Sequence, residues 1–100
     1  MAAKRHINLD KTEVILMFLD GNGYQSINLT YDQIIRIQFD RCFVKRFLWS
    51  APSERIQIVT GKRLNPIEYF KNKELLHFEE YKKSLEKFAK YNKISFVDNT

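Results

Sequence analysis

The sequence predicts an α+β domain: a bent antiparallel sheet, or a partly open β-barrel, capped by one long C-terminal amphipathic helix. Three observations carry this. Short apolar-rich strand patterns fill Glu13 to Thr60, and a 3.6-residue apolar period runs from about Lys73 to Tyr91. The pattern provides that helix with nothing to pack on except the sheet. One hundred residues form a single domain, 1–100, long enough to bury roughly 60–70% of the surface of the unfolded chain. An apolar fraction of 44% with 14% aromatics is that of a globular chain, not a disordered one.

The elements follow in order. Ile7 and Leu9 alternate with polar residues and predict an edge strand. Glu13 to Leu19 is apolar on both faces, as in a central strand covered on both sides or one with a face used for contact. Asp20-Gly21-Asn22-Gly23 is a tight hairpin signal, because Asp-Gly and Asn-Gly tolerate the positive φ that such a turn needs. The return strand, Tyr24 to Thr30, points Ile27 and Leu29 one way and Ser26, Asn28 and Thr30 the other. Tyr31-Asp32-Gln33 turns the chain. Ile34 to Phe39 then alternates Ile35, Ile37 and Phe39 against Arg36 and Gln38, and Asp40-Arg41 ends the strand. Cys42 to Trp49 interleaves apolar and basic residues, and Ser50-Ala51-Pro52-Ser53 breaks it. Arg55 to Thr60 is a strand with Ile56 and Ile58 inward, and Gly61-Lys62-Arg63 turns.

Asn65-Pro66 supports two readings, a helix start or a short edge strand over Ile67 to Phe70. In the helix, Asn72 is a candidate cap, and Leu75, Phe78, Tyr81, Leu85, Phe88 and Ala89 fall in one stripe, with Lys82 intruding and snorkelling. Glu79 with Lys83, and Glu86 with Lys90, are favourable i,i+4 pairs. Asn92 is the expected left-handed stop. Ile94 to Val97 rejoins the sheet or covers the core.

Tyr31-Asp32-Gln33-Ile34-Ile35-Arg36-Ile37, Glu54-Arg55-Ile56-Gln57-Ile58 and Glu79-Glu80-Tyr81-Lys82 through Ile94 together resemble a bacterial pleckstrin-homology-like or GRAM-like domain. The resemblance implies a strongly bent antiparallel sheet closed by one C-terminal helix. Inositol-lipid-binding members of that family carry a basic motif at their first hairpin. Here that hairpin, Asp20 to Gly23, has no Lys or Arg, so inositol-lipid recognition is not carried over.

Chemistry is sparse. Cys42 is the sole cysteine, which excludes an internal disulfide and fits a reducing compartment. Lys4 and Arg5 are not followed by a signal-peptide apolar region, and Val14 to Leu19 is too short to span a bilayer. The expectation is a cytoplasmic protein. His6 and His77 have no Cys or carboxylate at ligand spacing, so no metal is expected. Asp20, Asp32, Asp40, Glu54 and Glu68 are dispersed around turns without a pair for acid–base work, and Gly21 and Gly23 match no phosphate loop. The pattern therefore predicts no enzyme and no cofactor.

The best candidate surface is Phe43 to Trp49. Lys45 and Arg46 there suit phosphates, and Trp49 suits a base or a lipid interface. Against this, an alternating strand puts one face in the core, so either Phe43, Phe47 and Trp49 or their neighbours are expected buried. Lys62 and Arg63, with Arg55, form a second candidate cluster, weighed against a simple solvated turn. Net charge is +5, from 17 basic against 12 acidic residues. The basic residues alternate with acids on the helix, which predicts no tight polyanion binding at physiological salt unless Lys45 or Arg46 joins Lys62 and Arg63 across neighbouring strands. The expected function is a non-enzymatic binding module for a protein or peptide, through a sheet edge or loops. A weak contact with anionic lipid or nucleic acid is the alternative.

Overall fold

The computed structural model describes residues 5–73 and 76–100, with the side chains of Asp20 and Arg46 outside that set. Within it the order is β1 (Ile7–Leu9), β2 (Glu13–Asp20), β3 (Gly23–Thr30), a 3₁₀ turn at Tyr31–Gln33, β4 (Ile34–Arg46), β5 (Trp49–Thr60), β6 (Ile67–Phe70), α1 (Phe78–Asn92) and β7 (Ser95–Asp98). The strands make two sheets, β1-β2-β3 and β6-β5-β4-β7, and do not close into a barrel. All neighbours are antiparallel except β4 and β7, which run parallel because the helix returns the chain over the sheet.

Period-2 patterning explains the first sheet. Val14 pairs with Leu29 and Leu16 with Ile27, which turns these residues to the core. β2 is central in its sheet, yet only one of its apolar faces is covered: Ile15 and Leu19 are exposed on the other. Asp20 pairs with Gly23 around a two-residue loop, and Gly23 sits at φ +100°, as the Asp-Gly-Asn-Gly run requires.

The second sheet departs from the sequence pattern in three places. A register shift between Ile34 and Arg36 lets Ile34, not Ile35, enter the core, because a bulge resets the alternation. Asp40-Arg41 does not end a strand: β4 runs on to Arg46. Nor do Ser50 to Ser53 break one. They belong to β5, where Pro52 pairs with Phe43 and is tolerated because the strand has lost its outer neighbour there. The Asn65 to Phe70 ambiguity resolves as strand β6, and Ser95–Asp98 rejoins the sheet beside β4.

The helix begins five residues later than its apolar period suggests, at Phe78 instead of Lys73. β6 runs to Phe70 and a turn follows, with the Lys73 amide donating to the Phe70 carbonyl at 3.0 Å. His77, not Asn72, occupies the cap position, and Leu75 lies outside the described residues. The left-handed residue at the far end is Lys93, at φ 56°, and the Ile94 amide reaches back to the Ala89 carbonyl at 2.9 Å. Asn92 instead donates from its side chain to the carbonyls of Phe88 and Lys11, at 3.0 and 2.9 Å. The stripe of Phe78, Tyr81, Leu85, Phe88 and Ala89 is buried against Ile37, Phe39, Ile56, Ile58 and the inner residues of β2 and β3 in one continuous core. Two tyrosine hydroxyls stitch the layers together: Tyr69 donates to the Met17 carbonyl at 2.9 Å, and Tyr81 accepts from the His6 amide at 2.8 Å.

Candidate functional site

β4 and β5 outrun their neighbours. β6 pairs only with Arg55 to Ile58, and β7 only with Arg36 to Phe39. Beyond the Asp40–Arg55 pair the hairpin continues as two strands alone to the Arg46–Trp49 pair. At about 3.3 Å per residue this makes an arm roughly 20 Å long.

The root of the arm is fixed by ion pairs on both faces. On one face the Arg55 guanidinium meets both Asp40 oxygens, at 2.8 and 3.0 Å, and Glu68 at 3.1 Å. Gln38 adds a bond to Asp40 at 3.0 Å. The hydrogen-bonded Arg55 holds the Asp40 carboxyl below its usual range, in spite of burial. On the other face Glu54 accepts from Lys82 at 2.8 Å and from Lys71 at 3.1 Å, and these bonds lower its pKa in the same way. Lys82 thus does not snorkel to water. It crosses the Phe39 ring, 5.5 Å from its centroid, and ends on Glu54. Asp40, Glu54 and Glu68 are strand residues with cationic partners, not the turn carboxylates that their spacing suggests.

Past the root the large apolar side chains are exposed. Phe43 is 78% exposed, Phe47 86%, Leu48 82% and Trp49 61%. This corrects the expectation that one alternating face of Phe43 to Trp49 lies in the core. Alternation buries a face only where a second layer covers it, and the arm extends beyond both β7 and the helix. Phe47 and Leu48 form the apex, joining the Arg46–Trp49 pair as a two-residue loop with Phe47 at φ 37°. Such loops usually place Gly or Asn at positive φ. Residues 41–53 carry Arg41, Lys45 and Arg46 and no carboxylate. Lys45 is exposed, one pair behind the Arg46–Trp49 pair. Arg41 is exposed nearer the root and donates to the Thr100 carbonyl at 2.9 Å. The Arg46 side chain lies outside the described residues.

Lys62 and Arg63 do not join this surface. They follow Thr60, at the opposite end of β5 from Trp49, roughly 35 Å away at the strand rise. Lys62 is exposed in the turn. Arg63 is half-buried with its guanidinium over the Phe18 ring, 4.5 Å from the centroid, a packing role. Arg55 belongs to the root network. The bridged patch that sequence left open is therefore absent.

Other features gather less chemistry. A cleft of about 230 Å³ lies between the end of β2 and β6, lined by Met17, Leu19, Tyr24, Tyr69 and others. The outer pair Leu19–Tyr24 is apolar and exposed. Cys42 is part-buried beside Ser53, and burial pushes its thiol pKa up. Among the described residues no three His, Cys, Asp or Glu side chains gather as metal ligands, and no helix is long and apolar enough to cross a membrane.

Phe47 and Leu48 are the site residues that sequence reasoning under-weighted. The available signal was the acid-free run from Arg41 to Ser53. The apex itself carried no Gly or Asn to mark it as a turn. Comparison with family models, with curated proteins and with solved structures gives no match.

Proposed function

We propose that this protein is a non-enzymatic binding module whose contact element is the β4–β5 arm. One observation carries the reading. Four large apolar side chains stand exposed along one projection that contributes nothing to the core. Apolar groups clustered on a protein surface are costly in solubility and mark interaction sites more often than isolated ones do. Trp, Phe and Arg are also the residue types most enriched where binding energy concentrates.

A second mode is favoured by the strand edges. Past Arg41 on β4 and Glu54 on β5 no strand flanks the arm among the described residues. A peptide adding a strand there would find free backbone donors and acceptors.

Photo-crosslinking in the source cell tests the arm. A benzophenone amino acid at position 47 should give covalent adducts, and the same group at exposed position 83 on the helix should give none. Equal adducts at both positions, or adducts only at 83, would refute the arm as contact element.

A further inference from the structure

This inference rests on the arm being the contact element and names its partner. We propose that the partner is an anionic lipid bilayer, entered apex first: Phe47, Leu48 and Trp49 sit in the interfacial region and Lys45 meets headgroup phosphates.

The order of side chains along the arm is the reason. The extreme end is apolar, with Phe47 and Leu48 alone between the paired strands. Lys45 stands two residues behind Phe47, roughly 7 Å along the strand axis. Interfacial elements bury their apolar groups about 5–10 Å into the headgroup–acyl boundary. An apex seated at that depth brings Lys45 level with the phosphates. Tryptophan adds an amphipathic ring suited to the same layer. Arg41, farther back, faces the diffuse negative potential of the surface.

Charge narrows the choice of partner. The arm has three basic residues and no acid, and the acids that flank it in sequence, Asp40 and Glu54, are already paired with Arg55, Lys82 and Lys71. A second copy would bring a like-charged arm. The partner's surface must therefore be negative. A single-stranded nucleic acid would be met by aromatic faces laid along a cationic groove. Here the foremost residues are a Phe and a Leu, and leucine has no ring to stack. The even spread of charge that argued against a polyanion partner describes the helix, where Glu and Lys alternate, and does not describe the arm.

Trp49 is the only tryptophan in the chain, so its emission reports the apex directly. The protein is titrated with phosphatidylcholine vesicles and with phosphatidylcholine–phosphatidylglycerol vesicles near 0.15 M salt. The expected result is a blue shift of Trp49 with the anionic vesicles only, and quenching by bromine-labelled acyl chains. Partitioning should fall about fivefold for Lys45→Ala, near the contribution of one basic residue at an anionic surface. It should fall at least tenfold for Phe47→Ser with Leu48→Ser; both side chains are exposed, so the variant should keep its fold. Lys83→Ala should leave partitioning unchanged. A shift with a short oligonucleotide but not with vesicles would replace lipid by nucleic acid. A shift that follows protein concentration, with a doubled mass, would replace it by a second copy. Equal losses for Lys45→Ala and Lys83→Ala would reduce the effect to net charge. Each of these overturns the lipid inference. The first two leave the arm as contact element, and failure of the arm itself would appear separately, as absent crosslinks at position 47.

Discussion

Phe88→Ala tests whether the helix is what holds the two sheets as one unit. Phe88 is 4% exposed and sits in the stripe with Tyr81, Leu85 and Ala89, facing the inner residues of both sheets. Truncation removes the whole ring from the centre of a core that has few ways to collapse, because the strands on either side are held by their ladders. Phe-to-Ala changes at such sites cost about 3–5 kcal/mol. A domain of this size has roughly 5–15 kcal/mol in total. At about 4–8 °C per kcal/mol, the midpoint should drop by roughly 12–40 °C. The assay is far-UV circular dichroism through a urea or thermal transition. Tryptophan emission would mislead, since Trp49 lies on the arm and is already exposed in the folded state. Phe47→Ala is the matched control: the same substitution at an exposed site should stay within about 0.5 kcal/mol. A loss below about 1 kcal/mol for Phe88→Ala would show that the stripe faces solvent or a partner and would refute the packing described.

Three further outcomes follow from particular contacts. Asp40 and Glu54 have folded pKa values below their ordinary 3.8 and 4.5, so their stabilisation is full above those values and is lost as pH falls through the lower folded ones. Urea midpoints measured from pH 7 to pH 2 should decline below about pH 4.5, and Asp40→Asn with Glu54→Gln should flatten that decline; an unchanged slope would refute the clamps. Gly23→Ala places a Cβ at φ +100°, where space is free but the backbone is strained, and should cost about 1–2 kcal/mol by chemical denaturation. Phe47→Gly should relieve the positive φ at the apex and, after the loss of chain stiffness, stabilise by up to about 1 kcal/mol on the same assay.

Where local pattern and tertiary cover agree, the sequence was readable. The β2–β3 hairpin, the inward residues of β3 and β5, and the helical stripe follow from periods of 2 and 3.6 residues with turn chemistry at Gly23. The failures share one cause, a dependence on what lies alongside. Pro52 reads as a break, yet a strand whose edge is free accepts proline. Asp40 reads as a turn residue because its partner Arg55 sits fifteen positions away across the ladder. Ile35 reads as core because a bulge cannot be seen in the alternation that it interrupts. Of the candidate site, Lys45, Arg46 and Trp49 were legible as a mixed basic–aromatic run. The exposure of Lys45 and Trp49 was not, since burial depends on how far β6, β7 and α1 reach. The late start of α1 likewise depends on β6 continuing to Phe70.

The arm concentrates several departures from local preference in a few residues. Elsewhere among the described residues Leu64 is exposed in a bend and Leu19 pairs with exposed Tyr24 at the end of the first hairpin, and scattered apolar residues on a surface need no explanation. At the arm, exposed Phe43, Phe47, Leu48 and Trp49 coincide with a two-residue loop lacking Gly or Asn, with a bulky residue at positive φ, and with a basic stretch, residues 41–53, that contains no carboxylate. A polar apex such as Asn-Gly would make the turn better and the protein more soluble. Isolated two-stranded hairpins are also marginal in water. This one is anchored by charge clamps on both faces of its root and by strand continuity with the core, which is the support a projecting element needs to hold its shape without a covering layer. Departures from good local design that cluster at a single place, each supported from elsewhere in the fold, are what the proposed contact role of the arm would require.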